Sequence, residues 1–208
     1  LAAQMLSDKS VPKNEAMYER LSGTIVRETK RLRMQVDKVL QMSLFDNGGI
    51  NLNPHDLDMH DIIRGVVENF SIKVQQTGGD IETHLEAACC QVYADEMHIT
   101  NVICNLLDNA VKYRRDDVPL HLEVSTRNVS GGKLCISIRD NGIGIRREQV
   151  KHIFERFYRV STGDKHDVKG FGLGLAYVKA IITQHKGHIK CESQLGEGTT
   201  FTITIATI

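Results

Sequence analysis

The chain has 208 residues, with 26 Lys+Arg against 26 Asp+Glu, so its formal charge is zero. Nothing in that balance points to nucleic acid or to an anionic membrane surface as a partner. The length suffices for one good core plus a smaller element, and no apolar run approaches the roughly 20 residues of a membrane span.

In chain order, residues 1–11 read as the tail of a helix that stops near Pro12. Leu1 lacks both an initiator Met and a signal-peptide pattern, so the chain reads as a piece cut from a longer protein. Residues 14–46 read as one long helix with a narrow apolar seam (Leu21, Ile25, Leu32, Val36, Val39), suited to a coiled coil or bundle. Asn47-Gly48-Gly49 ends it and marks the domain boundary, with 1–47 on one side and 50–208 on the other. A wider stripe, with Leu57, Ile62, Ile63, Val66, Val67 and Phe70, predicts a helix over 59–75. A strand over 80–87 follows the turn at Gly78-Gly79. The adjacent pair Cys89-Cys90 reads as small residues on a strand, with a redox pair as the alternative. The five cysteines form no CxxC pair and read as reduced, mostly buried thiols.

Asp95 is placed to cap the next helix. The runs 120–125 and 134–138 alternate and are joined at Gly131-Gly132 as a hairpin. Residues 173–186 read as a helix, and 188–193 with 199–206 as a closing hairpin whose Phe201, Ile203 and Ile205 face inward. Strands with one buried face, covered by helices, predict an α+β fold: a two-layer α/β sandwich preceded by the long helix.

Three segments carry chemistry. On the helix holding Asn105-Leu106-Leu107-Asp108-Asn109-Ala110-Val111-Lys112-Tyr113, the residues Ile99, Val102, Ile103, Leu106 and Ala110 share the core face. Asn105, Asn109 and Lys112 fall within an arc of roughly 60° on a neighbouring face. Amide oxygens suit Mg²⁺ shared with phosphates, and Lys112 adds positive charge against a triphosphate. The bland alternative is a solvated polar stripe. Asp140-Asn141-Gly142-Ile143-Gly144-Ile145 ends an alternating strand with a carboxylate followed by two glycines. A carboxylate accepts from an exocyclic amine, which adenine has and guanine lacks at that position, and Gly142 and Gly144 let backbone approach a base. A plain β-turn is the alternative. Gly170-Phe171-Gly172-Leu173-Gly174-Leu175 opens a helix and offers N–H groups to phosphate; a hinge is the alternative. The spacing fits neither a Rossmann nor a Walker A loop.

Together with the box Phe154-Glu155-Arg156-Phe157-Tyr158-Arg159, these segments resemble the ATP-binding domain of sensor histidine kinases, in the group that includes gyrase, Hsp90 and MutL. The resemblance implies the Bergerat-type fold, a mixed sheet covered by helices on one face, behind a dimerising helical hairpin. It implies ATP and Mg²⁺ as ligands, with Asn105 and Asn109 on the metal. Asp140 then reads the adenine amino group with Thr199 supporting it through water. Tyr113, Ile145, Leu173 and Leu175 join the nucleotide shell. Phe154 and Phe157 are core anchors for the near end of a polar lid over 160–169 that holds Lys165, His166 and Lys169, and Gly170 follows it as the first glycine of the second box. Arg159 contacts phosphate, with a surface ion pair as the alternative.

The family's phosphoacceptor motif, His then Asp/Glu with Thr/Ser-Pro shortly after, is not found. His55-Asp56, His60-Asp61 and His166-Asp167 fail the pattern. The acceptor is expected just upstream, so the piece itself is not expected to autophosphorylate. The resemblance implies a parent that is a homodimeric inner-membrane sensor, with this part in the cytoplasm, handing phosphate to an Asp on a response-regulator receiver domain. Two other readings stay open: a nucleotide-binding and dimerisation module without turnover, and a gyrase/Hsp90-type ATPase. The latter needs a glutamate base where Asn105 stands.

Overall fold

The computed structural model describes residues 14, 16–26, 28–29, 51–160 and 172–208. Most of the long helix, the 1–11 segment, the Asn47-Gly49 boundary and the lid from 161 onward, with Lys165 and Gly170, lie outside the described residues. The chain divides into two units, Leu1–Ile50 and Asn51–Ile208. In the first, residues 16–26 are helical, and Asn14 caps them by accepting from the Met17 N–H at 2.9 Å.

The second unit runs β1 (His55–Asp58), α1 (Met59–Gln75), β2 (Asp80–Leu85), β3 (Gln91–Ala94), α2 (Glu96–Lys112), β4 (His121–Val129), β5 (Lys133–Asp140), α3 (Arg147–Val150), α4 (Gly174–Gln184), β6 (His188–Gln194) and β7 (Gly198–Ala206). Five strands make one mixed sheet in the order β2-β4-β5-β7-β6, with β2 parallel to β4 and the other pairs antiparallel. One face is apolar: Leu122 and Val124, Leu134, Ile136 and Ile138, and Phe201, Ile203 and Ile205 are all buried. The alternate positions carry Ser125, Arg127, Ser137, Arg139, Thr202 and Thr204, which are half-buried or exposed. The period of two therefore puts nearly all the burial on one side, with Cys135 of β5 a buried exception on the other. Onto that side pack Ile63, Val66, Phe70 and Val74 of α1, Ile99, Val102, Ile103, Leu106, Leu107, Ala110 and Val111 of α2, and Val178, Ile181 and Ile182 of α4.

Four expectations change. The 80–87 strand stops at Leu85 and is an edge strand, so only one side of it is paired. Leu57 belongs to β1, which pairs with β3 in a separate two-stranded sheet, and not to the helix stripe. Cys89 and Cys90 lie in the loop before β3, Cys89 exposed and Cys90 half-buried; Cys135 and Cys191 are the buried cysteines. Phe157 is not a core anchor: it is 70% exposed. Its φ of +62° and its N–H donated to the Gly172 carbonyl at 3.0 Å fix a tight turn that aims the ring outward. Ile153 takes the buried place, while Phe154 is half-buried, edge-on to Phe201 with ring centroids 6.4 Å apart. No helix among the described residues is long and apolar enough to cross a membrane.

Candidate nucleotide site

The asparagine helix α2 starts at Asp95, whose side chain accepts from the His98 N–H at 3.0 Å and from the Asn53 N–H at 2.9 Å. Burial pushes the Asp95 carboxyl up, but these two bonds outweigh it and hold the group below its ordinary value. The helix ends at Tyr113, whose carbonyl accepts from the Ile143 N–H at 2.9 Å. That bond fastens the first glycine turn to the end of α2. Gly142 fits there because a Cβ on it would lie 2.6 Å from the Tyr113 oxygen.

Helix α4 lies antiparallel to α2, as three paired positions show. His98 Nδ1 bonds Tyr177 OH at 2.8 Å in a buried pair, and burial pushes the His98 imidazole below its ordinary value. His185 Nε2 accepts the Asp95 N–H at 3.0 Å, while its Nδ1 bonds the Ile181 carbonyl at 2.8 Å. One ring nitrogen accepts and the other donates, so His185 is the neutral Nδ1–H tautomer. At the near end, a Cβ on Gly174 would come within 2.9 Å of Asn105 Oδ1. The Asn105 amide nitrogen donates to the Asn101 carbonyl at 2.8 Å, which turns its oxygen toward the start of α4. Among the described residues no side chain caps that helix start, and no acidic residue stands in its first turn.

Asn105 therefore faces a helix N-terminus that no described side chain caps, where N–H groups and the helix dipole favour anions. Eight residues further on, at Tyr113, sits the Asp140 turn. Eight helical residues span about 12 Å, the length scale of a nucleoside triphosphate.

Asp140 is half-buried. Its carboxylate accepts from the Gly142 N–H at 2.8 Å, and Thr199 pairs with it across the β5–β7 ladder. Burial outweighs the Gly142 and Thr199 amides and pushes the carboxyl from 3.8 up to about 6. A half-buried carboxylate whose environment disfavours charge is suited to a ligand that donates to it. Asn141 has a structural part: its Oδ1 accepts from the His121 N–H at 2.8 Å and its Nδ2 donates to the Pro119 carbonyl at 2.9 Å.

Of the other expected residues, Asn109 is half-buried on the same helix face. Lys112 is exposed and 3.7 Å from Asp108, which also holds Lys73 at 2.5 Å. Gly172 has a φ of +71°, Leu173 is buried, Leu175 is half-buried and Arg159 is exposed.

Ser193 escaped the sequence reading. Its hydroxyl donates to the Gly198 carbonyl at 2.8 Å and accepts from the Ile145 N–H at 2.8 Å. Thr199 Oγ1 lies 2.9 Å away. Since the Ser193 proton is used on Gly198, the buried Thr199 hydroxyl donates to Ser193 and keeps its own lone pairs for an incoming donor. A lone serine in an alternating strand carries no local signal of this part. Ser193→Ala strands the Ile145 N–H and the Gly198 carbonyl. It is expected to cost about 1–2 kcal/mol and to lower the melting midpoint by roughly 2–5 °C in a thermal scan. An unchanged midpoint would remove Ser193 from this account.

The mixed sheet, the helices on one face and the site at their edge define an ATP-binding catalytic domain of the histidine-kinase type. Residues 94–207 match the family described as histidine kinase-, DNA gyrase B-, and HSP90-like ATPase, and the chain belongs to it. It is 56% identical over 205 residues to the sensor protein RprX of Bacteroides fragilis, a match that covers 99% of this chain and 39% of RprX. The chain thus spans about two fifths of that relative. Among solved structures it is similar to full-length ShkA in complex with AMPPNP, with a TM-score of 0.76, 24% identity, and coverage of 96% of this chain and 41% of ShkA. It is also similar to histidine kinase ThkA in complex with the response regulator TrrA, with a TM-score of 0.67, 22% identity, and coverage of 96% and 54%. These two likenesses establish the fold.

Proposed function

We propose that the chain seats Mg·ATP along α2 and presents the γ-phosphoryl group to a histidine on a dimerising helical hairpin. In the whole homodimeric protein, an inner-membrane sensor in this reading, that histidine hands the phosphate to an aspartate of a receiver domain. The observation that carries the reading is the pair of complementary ends on one helix. The Asp140 turn receives the adenine amino group, and about 12 Å away Asn105 faces the start of α4, capped by no described side chain, where the phosphates lie.

The donor set fits a hard cation. Asn105 offers a neutral amide oxygen with its nitrogen already used, and Asn109 stands one turn on. When bound, Mg²⁺ neutralises charge on the phosphate oxygens. Tyr113, Ile145, Leu173 and Leu175 flank the nucleotide, Gly142, Gly144, Gly172 and Gly174 let the turns that border it pack closely against neighbouring protein atoms, and Thr199 supports Asp140. Lys112, at the Tyr113 end of the helix, adds positive charge along the triphosphate, and Arg159 with, outside the described residues, Lys165 and Gly170 completes the phosphate end. Phosphoryl transfer asks for positioning and charge neutralisation more than for covalent chemistry, which this residue set supplies. An amide at Asn105 offers no base for water, so the reading is transfer and not hydrolysis. The part domain 1–47 plays is that of the hairpin, and the complex of ThkA with its response regulator supports the choice of partner.

The test supplies γ-labelled ATP to the chain together with a histidine-bearing helical hairpin and a receiver domain. Label that is acid-labile on the hairpin and then moves to the receiver supports the reading; phosphate released only to water would contradict it. Asn109→Ala is expected to weaken nucleotide binding at least tenfold with Mg²⁺ present and little without it, measured by calorimetry.

A further inference from the structure

A second constellation lies on the same unit, built from residues the nucleotide site does not use. Asp58 ends β1, His60 opens α1, and Cys90 stands in the loop before β3. The β1–β3 ladder pairs Asp58 with Gln91, and the Met59 N–H donates to the Cys90 carbonyl at 3.1 Å. Backbone pairing thus holds the three side chains together, and their ligating atoms all lie within 4.8 Å of one another.

Asp58 and His60 each commit one side-chain atom to the fold, and Cys90 turns its thiol to Asp58. Asp58 Oδ1 caps α1 by accepting from the His60 N–H at 2.8 Å and the Asp61 N–H at 3.3 Å. Its Oδ2 receives the Cys90 thiol at 3.4 Å and the Gln91 amide at 3.0 Å. His60 is buried, and its Nε2 bonds Thr126 Oγ1 on β4 at 2.8 Å. Thr126 Oγ1 also accepts from the Ala87 N–H at 3.4 Å. A ring that donates from Nε2 keeps an unprotonated Nδ1, the form a metal takes, and a hydrogen bond on the far nitrogen is how ligating histidines are oriented.

We propose that Asp58, His60 and Cys90 bind one zinc-type divalent ion, with water from the exposed side as the fourth ligand. A thiolate, an imidazole and a carboxylate together suit zinc better than Mg²⁺ or Ca²⁺, which take oxygen. With metal bonds of about 2.0 Å to oxygen and about 2.3 Å to sulfur, a tetrahedral ion sets those two ligands roughly 3.5 Å apart; Cys90 Sγ and Asp58 Oδ2 are already 3.4 Å apart. The ion replaces the thiol proton, which leaves to solvent, and two anionic ligands balance its charge. Binding would clip the two-stranded sheet to the start of α1. It would also stiffen the link through His60 to β4.

Cobalt(II) serves as the probe, added to metal-free, reduced, tag-free chain. One equivalent is expected to produce a thiolate-to-cobalt charge-transfer band, displaced by one equivalent of Zn²⁺. The band is lost in Cys90→Ser and kept in Cys89→Ser. His60→Gln, which leaves every thiol in place, weakens cobalt binding at least tenfold. No band in the wild type at one equivalent overturns the proposal, as does a band that survives Cys90→Ser or vanishes in Cys89→Ser. Unchanged affinity in His60→Gln overturns it even if Cys90→Ser folds poorly.

Discussion

Asp140→Asn is expected to stabilise the nucleotide-free chain at pH 7 while removing most of its ATP affinity. The folded Asp140 carboxyl titrates at about 6 against an ordinary 3.8, because burial disfavours the charge. The folded state therefore holds a proton that the unfolded state has lost between those values. Stability is full below about pH 4, falls as pH rises through about 6, and stays low above it. The gap corresponds to roughly 3 kcal/mol at pH 7. Asparagine keeps an oxygen for the Gly142 N–H and carries no charge, so the variant recovers much of that amount and its stability no longer falls between pH 4 and 6. For binding the sign reverses. The adenine amine loses a charged acceptor worth about 1.5–3 kcal/mol and meets an amide N–H₂ when the Asn oxygen serves Gly142. Affinity is expected to fall on the order of 10- to 100-fold. In the wild type, ATP binding weakens as pH drops below 6. Denaturant melts from pH 4 to 8, beside calorimetry, check all of this; a variant less stable than the wild type at pH 7 would refute the assigned cause.

Gly144→Ala is expected to be among the most damaging single substitutions on this surface. Gly144 combines a φ of +66° with a closely approaching backbone: an added Cβ would run into the Gln194 carbonyl. The neighbouring tie, Gly196 N–H to the Ile143 carbonyl at 2.8 Å, means the first glycine turn is seated on the β6–β7 turn and cannot back away. Gly131 separates the two causes. Its φ is +83°, yet a Cβ there meets nothing within 4 Å. Gly131→Ala should cost about 1 kcal/mol from backbone strain alone. Gly144→Ala adds a clash against main chain and should cost more than about 3 kcal/mol, with loss of nucleotide binding. Equal urea midpoints for the two variants would show that close approach is not what Gly144 provides.

These two sites also show what the sequence made legible. The asparagine face is fixed by helix period alone, so the sequence suffices to put Asn105, Asn109 and Lys112 on one face, and likewise the core face of α2 and the inward residues of β7. The glycine turns were readable because glycine marks backbone that no other residue tolerates. What escaped depends on partners distant in sequence. β1 and β3 are four residues each, too short to show a period, and their pairing joins positions more than thirty apart. Ser193 matters only because β6 brings it to Ile145 and Thr199. The antiparallel seating of α4 rests on His98, Tyr177 and His185, which look like ordinary helix residues until both helices are in place. Phe157 misled for the opposite reason: an apolar side chain implies burial, but a left-handed backbone decides where it points.

The most direct measurement of the central claim is a calorimetric titration of the chain with Mg·ATP. One site of micromolar affinity, much weaker for Mg·GTP, is the result this account requires, because Asp140 distinguishes an exocyclic amine from a carbonyl. No binding, or equal affinity for the two nucleotides, would contradict it.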